Sequence, residues 1–285
     1  MTQWLPTDEQ QEQWENKGYF VLRGVVPQDV AFDMRGVIKN ELLKPEPDGR
    51  PDVDPMDPMD PMGDTPEAKS ARFRKLGNFC VQAPLIWHTF QAGEKMLSVA
   101  RHFLGDDIVV KFNSVFVKPA KTGSATPWHQ DNGLWRDGEK EPFNAWMALD
   151  PATRENGCMQ FIPGSHKTEI VPHVMYEDSI HGELPRERVK EMIDRHGVEH
   201  QVAEPGDVVC WHSSLWHYSP PNPSPNSRIA IAGVWTNLAI NGGRVRAMHR
   251  WAMKKGEVCT TFPPEPVAIE HGVAHQPGSF GKDVS

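Results

Sequence analysis

Cysteine is scarce in this 285-residue chain, and its four thiols, Cys80, Cys158, Cys210 and Cys259, are widely spaced with no Cys-x-x-Cys pair. That excludes a disulfide framework and a zinc-cysteine cluster, and it suits the reduced thiols of a cytosolic enzyme. Positive charge is also short: 30 Lys and Arg stand against 38 Asp and Glu, a net charge of −8. A nucleic-acid partner needs a basic surface, so none is expected. No apolar run approaches the roughly 20 residues that span a bilayer. The first residues, Met1-Thr2-Gln3-Trp4-Leu5-Pro6, lack the basic-then-apolar order of a secretory signal. From these features the chain is expected to be cytoplasmic, with no nucleic-acid or membrane partner and an oligomeric state that the sequence does not reveal.

The local signals that are present begin with Thr7-Asp8-Glu9-Gln10, which has capping-box spacing, so a helix should run from there to Gly18. Tyr19 to Leu22 reads as a strand, and a second helix is expected from Gln28 to Leu43, where Val30, Met34, Val37 and Leu42 recur near helical spacing. From Lys44 to Asp64 the composition changes. Asp-Pro-Met occurs three times between Asp54 and Met62, and proline at every third position leaves an extended or turning loop, a candidate active-site lid. A third helix should span Glu94 to Leu104 and stop at Gly105.

Beyond Gly105 the pattern is of short β-branched and aromatic runs with Gly, Pro and Asn between them. Strands are expected at Ile108 to Phe112, Val115 to Val117, Ala145 to Leu149, Met159 to Ile162, Val208 to Trp211 and Ile229 to Trp235. A helix should interrupt them at Pro185 to His196. The fold class is therefore mainly β with outer α-helices, a sandwich or barrel. One catalytic domain covers residues 1–285. It has an N-terminal helical layer (1–105, containing the 44–64 loop), a β core (106–240) and a C-terminal extension (241–285) that should be mostly loop from Pro263.

The chemistry lies in an ordered set of residues. His129 and Asp131 are two apart, so on a regular strand both would face one side. His217 follows Asp131 by 86 residues, and Arg228 follows His217 by eleven. Two imidazoles and one carboxylate leave coordination positions open and suit Fe(II) that activates oxygen. The same ligand types also allow a zinc hydrolase or a metal-binding jelly-roll module without turnover.

Trp128 to Asp131, Gly157 to His166, Gly206 to Val209 and His217 to Arg228 together resemble the phytanoyl-CoA dioxygenase family of Fe(II)/2-oxoglutarate oxygenases, over about Gly18 to Val234. The resemblance implies a double-stranded β-helix, a cupin-like jelly-roll barrel. It implies Fe(II), 2-oxoglutarate and O₂ as cofactors and co-substrates, with His129, Asp131 and His217 holding the metal. Arg228 would take the far carboxylate of 2-oxoglutarate as a planar fork. Ser219, Trp146 and Lys75 would complete the co-substrate pocket. The reaction implied is oxidation of an unactivated C–H, with release of succinate and CO₂. Because Asp131 is retained, the halogenating variant, which needs that position vacant, is disfavoured.

Substrate contacts are expected just past the metal pair, at Gln130, Asn132, Trp135, Asp137 and Glu139. Their mixed aromatic and acidic character suits a small polar specialised metabolite, such as an amino sugar or aminoglycoside intermediate in antibiotic biosynthesis. An acyl-CoA would want a basic rim, which the negative charge disfavours. Of the remaining histidines, His166 reads as structural and His212 as facing away from the metal. The pairs His196/His200 and His271/His275 read as surface. His88, His102, His173, His181 and His249 read as isolated surface or core residues.

Overall fold

The structure, a computed structural model, describes residues 4–44, 50–53, 73–121, 123–134, 143–179, 181–240, 243 and 245–268. Helix α1 (Asp8–Lys17) starts as its sequence dictates, with Gln10 N donating to Thr7 Oγ1 (3.2 Å) and Thr7 N to Gln10 Oε1 (3.0 Å). Gly18 ends it at φ +84°, and a Cβ there would lie 2.4 Å from His166 Nδ1, so both conformation and space require glycine. Strand β1 (Tyr19–Leu22) follows, and then α2 (Gln28–Leu42), which buries Ala31, Met34, Ile38 and Leu42. Helix α3 (Glu94–Leu104) buries Met96, Leu97, Val99, Ala100 and Leu104 and stops at Gly105.

Two segments depart from sequence expectation in the N-terminal half. Arg50–Val53, inside the expected loop, forms β2, which among the described residues pairs with β3 (Phe73–Gly77) alone. Pro51 is tolerated because β2 is an edge strand, where a missing N–H breaks no ladder. The Asp-Pro-Met triplets at 54–62 lie outside the described residues. The two strands expected at Ile108 to Phe112 and Val115 to Val117 are one, β4 (Ile108–Lys118). Asn113 reads as a breaker, yet it is buried with its Oδ1 accepting from Cys80 N at 3.0 Å, so the ladder passes through it.

The remaining strands are β5 (Thr126–His129), β6 (Phe143–Ala148), β7 (Met159–Phe161), β8 (Glu199–Gln201), β9 (Val208–Trp211), β10 (His217–Ser219) and β11 (Arg228–Thr236). Two more, β12 (Arg250–Lys254) and β13 (Glu257–Val258), come from the C-terminal extension. Sequence reading missed this pair because five residues at most give little periodicity, and β12 is held by the edge of β4. Helix α4 (Arg186–His196) lies between β7 and β8 as expected.

All pairings are antiparallel. The larger sheet runs β1-β9-β6-β11-β4, and the far edge of β4 is shared by β12 and β3. The smaller sheet runs β5-β10-β7-β8. This is the two-sheet double-stranded β-helix; among the described residues the sheets do not join into a closed barrel. Strand periodicity sorts the larger sheet's faces. Ile229 and Ile231 of β11, Phe143, Ala145 and Met147 of β6, and Val208 and Cys210 of β9 pack in one cluster with α2 and α3. Ala230 and Ala232, Trp146 and Ala148, and Val209 and Trp211 form a second cluster with Met159 and Phe161 of the smaller sheet. The site therefore grows from the face between the sheets.

Candidate metal centre

Antiparallel pairing of β5 and β10 sets His129 directly opposite His217, so two residues far apart in the chain become neighbours, with ring centroids 3.9 Å apart. Each ring donates Nδ1–H to the carbonyl two residues back, His129 to Pro127 O (2.7 Å) and His217 to Leu215 O (2.9 Å). That fixes the tautomer and leaves each Nε2 as a bare acceptor turned to the centre.

Asp131 arrives differently from expectation. β5 ends at His129, and Asp131 opens a helical turn, Asp131–Leu134, so strand alternation is not what aligns the two. The turn brings Asp131 Oδ1 to 3.5 Å from His129 Nε2 and Oδ2 to 3.7 Å from His217 Nε2. The three ligating atoms all lie within 4.8 Å of one another, the only such group of His, Cys, Asp and Glu among the described residues. Asn144 Nδ2 (2.9 Å) and Trp211 Nε1 (3.1 Å) both donate to Asp131 Oδ2.

Burial opposes ionisation of Asp131, but His217, His129 and the Trp211 N–H outweigh it and bring the carboxyl down to about 2. Burial, and then His129, pushes His217 down to about 4. At neutral pH the cluster is a carboxylate beside a neutral imidazole, the protonation that a metal requires of its ligands.

The residues expected to hold 2-oxoglutarate gather elsewhere on the inner face. Arg228 is 3% exposed and stacks on the Trp146 ring, 5.1 Å from its centroid. Its Nη1 donates to Gly157 O, which also accepts from Ser219 Oγ at 2.8 Å. Arg228 Nε is buried without a hydrogen bond. Burial lowers the guanidinium to about 10, which leaves it charged at neutral pH. Lys75 sits on β3 opposite Phe116, with its Nζ 5.9 Å over the Phe112 ring.

The charges test whether a ferrous ion and a keto acid fit here. Among the described residues no lysine or arginine pairs with half-buried Asp131, and no carboxylate lies within ion-pair distance of buried Arg228; Asp150, which acts on Arg228 from farther off, is paired with Arg35. A buried charge is costly without its opposite. A divalent cation at the first and a carboxylate at the second supply what each lacks, so the residues fit both groups.

The expected substrate contacts behave otherwise. Trp135, Asp137 and Glu139 lie outside the described residues. Asn132 is buried, with Nδ2 donating to Ser214 Oγ at 2.9 Å. Gln130 is 0% exposed, and both ends of its amide are bonded to backbone groups, which leaves nothing for a substrate.

Sequence reading also missed neighbours of the centre. His181, read as isolated, packs edge-on to His129 with ring centroids 4.9 Å apart, and His173 Nε2 accepts from Gln130 N at 3.0 Å. Asn144 was recoverable, because it lies two before Trp146 on one strand and so shares its face. Nothing local marks His173 or His181. His212 turns away toward His166 and Trp14, and His196 and His200 fall on different elements, α4 and β8.

The fold and the triad define an iron- and 2-oxoglutarate-dependent oxygenase. The phytanoyl-CoA dioxygenase (PhyH) family matches residues 14–230, and the chain belongs to that family. Ectoine dioxygenase of Sphingopyxis alaskensis is 25% identical over 228 residues, covering 75% of this chain and 71% of that one. The crystal structure of EctD from S. alaskensis with 2-oxoglutarate and 5-hydroxyectoine superposes with a TM-score of 0.66 at 23% identity, covering 88% of this chain and 80% of that one. The non-heme α-ketoglutarate-dependent carbocyclase SnoK from nogalamycin biosynthesis gives a TM-score of 0.63 at 17% identity, covering 88% and 87%.

Proposed function

We propose that this chain oxidises a C–H bond of a small polar specialised metabolite, with His129, Asp131 and His217 holding Fe(II) and Arg228, Ser219, Trp146 and Lys75 serving 2-oxoglutarate. Iron and 2-oxoglutarate, when bound, would use O₂ to supply the oxidant, one oxygen atom going to the C–H and the other to succinate as CO₂ is released. The carrying observation is the pair of separated charges, half-buried Asp131 and buried Arg228, neither of which has an ion-pair partner of fixed opposite charge within reach among the described residues.

The chain's own residues orient and exclude. The two imidazoles are held by backbone carbonyls, and Asn144 and Trp211 hold the carboxylate, so the ligands need little reorganisation. Trp146 and Trp211 dry the inner face, which strengthens the Arg228–carboxylate attraction. Ectoine, the molecule in the name of one relative, is small and polar, and SnoK acts in antibiotic biosynthesis; both support the substrate class, an amino sugar or aminoglycoside intermediate among its members. The three buried free thiols support a reducing, cytoplasmic setting, with residues 1–285 working as one catalytic unit.

Anaerobic addition of Fe(II) and 2-oxoglutarate should give a weak visible charge-transfer band. Under air, succinate release should rise with a member of a panel of amines, sugars and acyl-CoAs. Metal uptake without the band and without succinate would instead mark a binding module.

A further inference from the structure

The residue between two of the metal ligands, Gln130, is built into the fold from every side. We infer that Gln130 is a positioning residue, a cross-brace that fixes both ligand-bearing arms of the metal centre relative to each other. This rests on the metal-centre reading above.

Gln130 Nε2 donates to Ser214 O (3.0 Å) and Glu169 O (3.3 Å), and its Oε1 accepts from Val171 N (2.9 Å). Its backbone N–H donates to His173 Nε2 (3.0 Å), and its carbonyl accepts from Gly133 N (3.0 Å). An amide with two donors and an acceptor matches these three side-chain partners, and no other residue of this length does.

Each partner leads to the centre. Ser214 adjoins Leu215, whose carbonyl orients the His217 ring. Glu169, Val171 and His173 belong to the segment that carries His181 against His129, and this segment is pinned again by Leu184 N donating to Trp128 O at 2.8 Å. The brace is close-fitting. His173 donates Nδ1–H to Val171 O (3.0 Å), which leaves Nε2 to accept from Gln130, and a Cβ on Gly133 would stand 2.1 Å from His173 Cε1. Gly133 is the opening through which the imidazole reaches the ligand turn. Beside the β5–β10 pairing and the Asn132 bonds to Ser213 and Ser214, this amide thus joins the arm carrying His129 and Asp131 to the arm carrying His217 and to the 169–173 segment, in a fully buried position where unmade hydrogen bonds are expensive.

The test compares wild type with Gln130→Glu, Gln130→Met and His173→Phe. Glutamate keeps the length and the acceptor but presents oxygen to the carbonyls of Ser214 and Glu169. Co(II) titration followed by its d–d bands needs neither 2-oxoglutarate nor turnover, so the brace and the proposed reaction fail separately. The brace requires Co(II) affinity to fall by roughly 10–100-fold, as for outer-shell partners of metal ligands. It also requires the d–d spectrum at saturating Co(II) to change, with the far-UV circular dichroism of the apo-proteins retained. Wild-type affinity and spectrum with altered substrate selectivity would overturn it in favour of a substrate contact. Loss of the folded state in all three variants would overturn it in favour of a plain core role.

Discussion

The two ends of the inner face are prepared in opposite ways. At the metal end every ligand is held from behind while its inward atom stays bare: two Nδ1–H groups go to carbonyls, and two N–H donors converge on Asp131 Oδ2. At the other end the binding groups are turned on each other, for Arg228 Nη1 and Ser219 Oγ both donate to Gly157 O. The first end is pre-organised and the second is only partly satisfied, since Arg228 Nε is buried without a hydrogen bond. A metal ion would enter the first without breaking these bonds, and on the proposed function the carboxylate of 2-oxoglutarate would meet Arg228 at the second, where Nε is unbonded. Bare imidazole acceptors cost little when empty, whereas a buried guanidinium is costly, and the Gly157 carbonyl offsets only part of that cost at Arg228.

Asp131→Ala breaks that contrast most completely. It should abolish the Fe(II)-dependent charge-transfer band and reduce succinate formation to background, a larger effect than the roughly 10–100-fold of an outer-shell partner. Retention of Fe(II) binding would place the metal elsewhere. Arg228→Ala should touch only the other end. The 2-oxoglutarate dissociation constant, read from the same band, should rise by about 100-fold or more, in line with the loss of a desolvated charge partner. Fe(II) binding should stay nearly intact; equal loss of both would mean the two ends are not separable.

The smallest effect is on stability. Burial depresses His173, His212 and His217 to about 4. The unfolded chain takes up these protons from about pH 6.5 downward, while the fold refuses them until about pH 4. Their contribution is present above pH 6.5 and lost as pH falls through that window, so the apo-protein's melting temperature should drop steadily from pH 7 to pH 4. Asp131, at about 2 against its ordinary 3.8, acts only below this range. A flat profile would mean that these rings are not buried as neutral groups.

Legibility followed locality. The ends of α1 and α3 could be read because Thr7, Gln10, Gly18 and Gly105 act within a few residues of themselves. The strands β9 and β11 could be read from composition nearly to the residue. Asn113 misled because its partner, Cys80 N, lies 33 positions away and turns an apparent breaker into a strand residue. The site divided in the same way. His129, Asp131, His217 and Arg228 were legible through a motif, but the geometry attached to that motif was mistaken, since Asp131 stands on a helical turn. Gln130 was expected to face a substrate and faces the fold, where its amide bonds remote backbone groups that local spacing does not reveal.

The amino-acid sequence on its own determined the ligand types, the caps and the alternation that assigns each β-strand an inner and an outer face, since these depend on bonds made within a turn or two. Tertiary structure supplied how the ligands meet, because the register of β5 against β10 sets His129 opposite His217 across more than 80 intervening residues. It also decided that His181 packs against His129. Packing between remote segments has no counterpart in local spacing, and the interior geometry of this site is made of such packing.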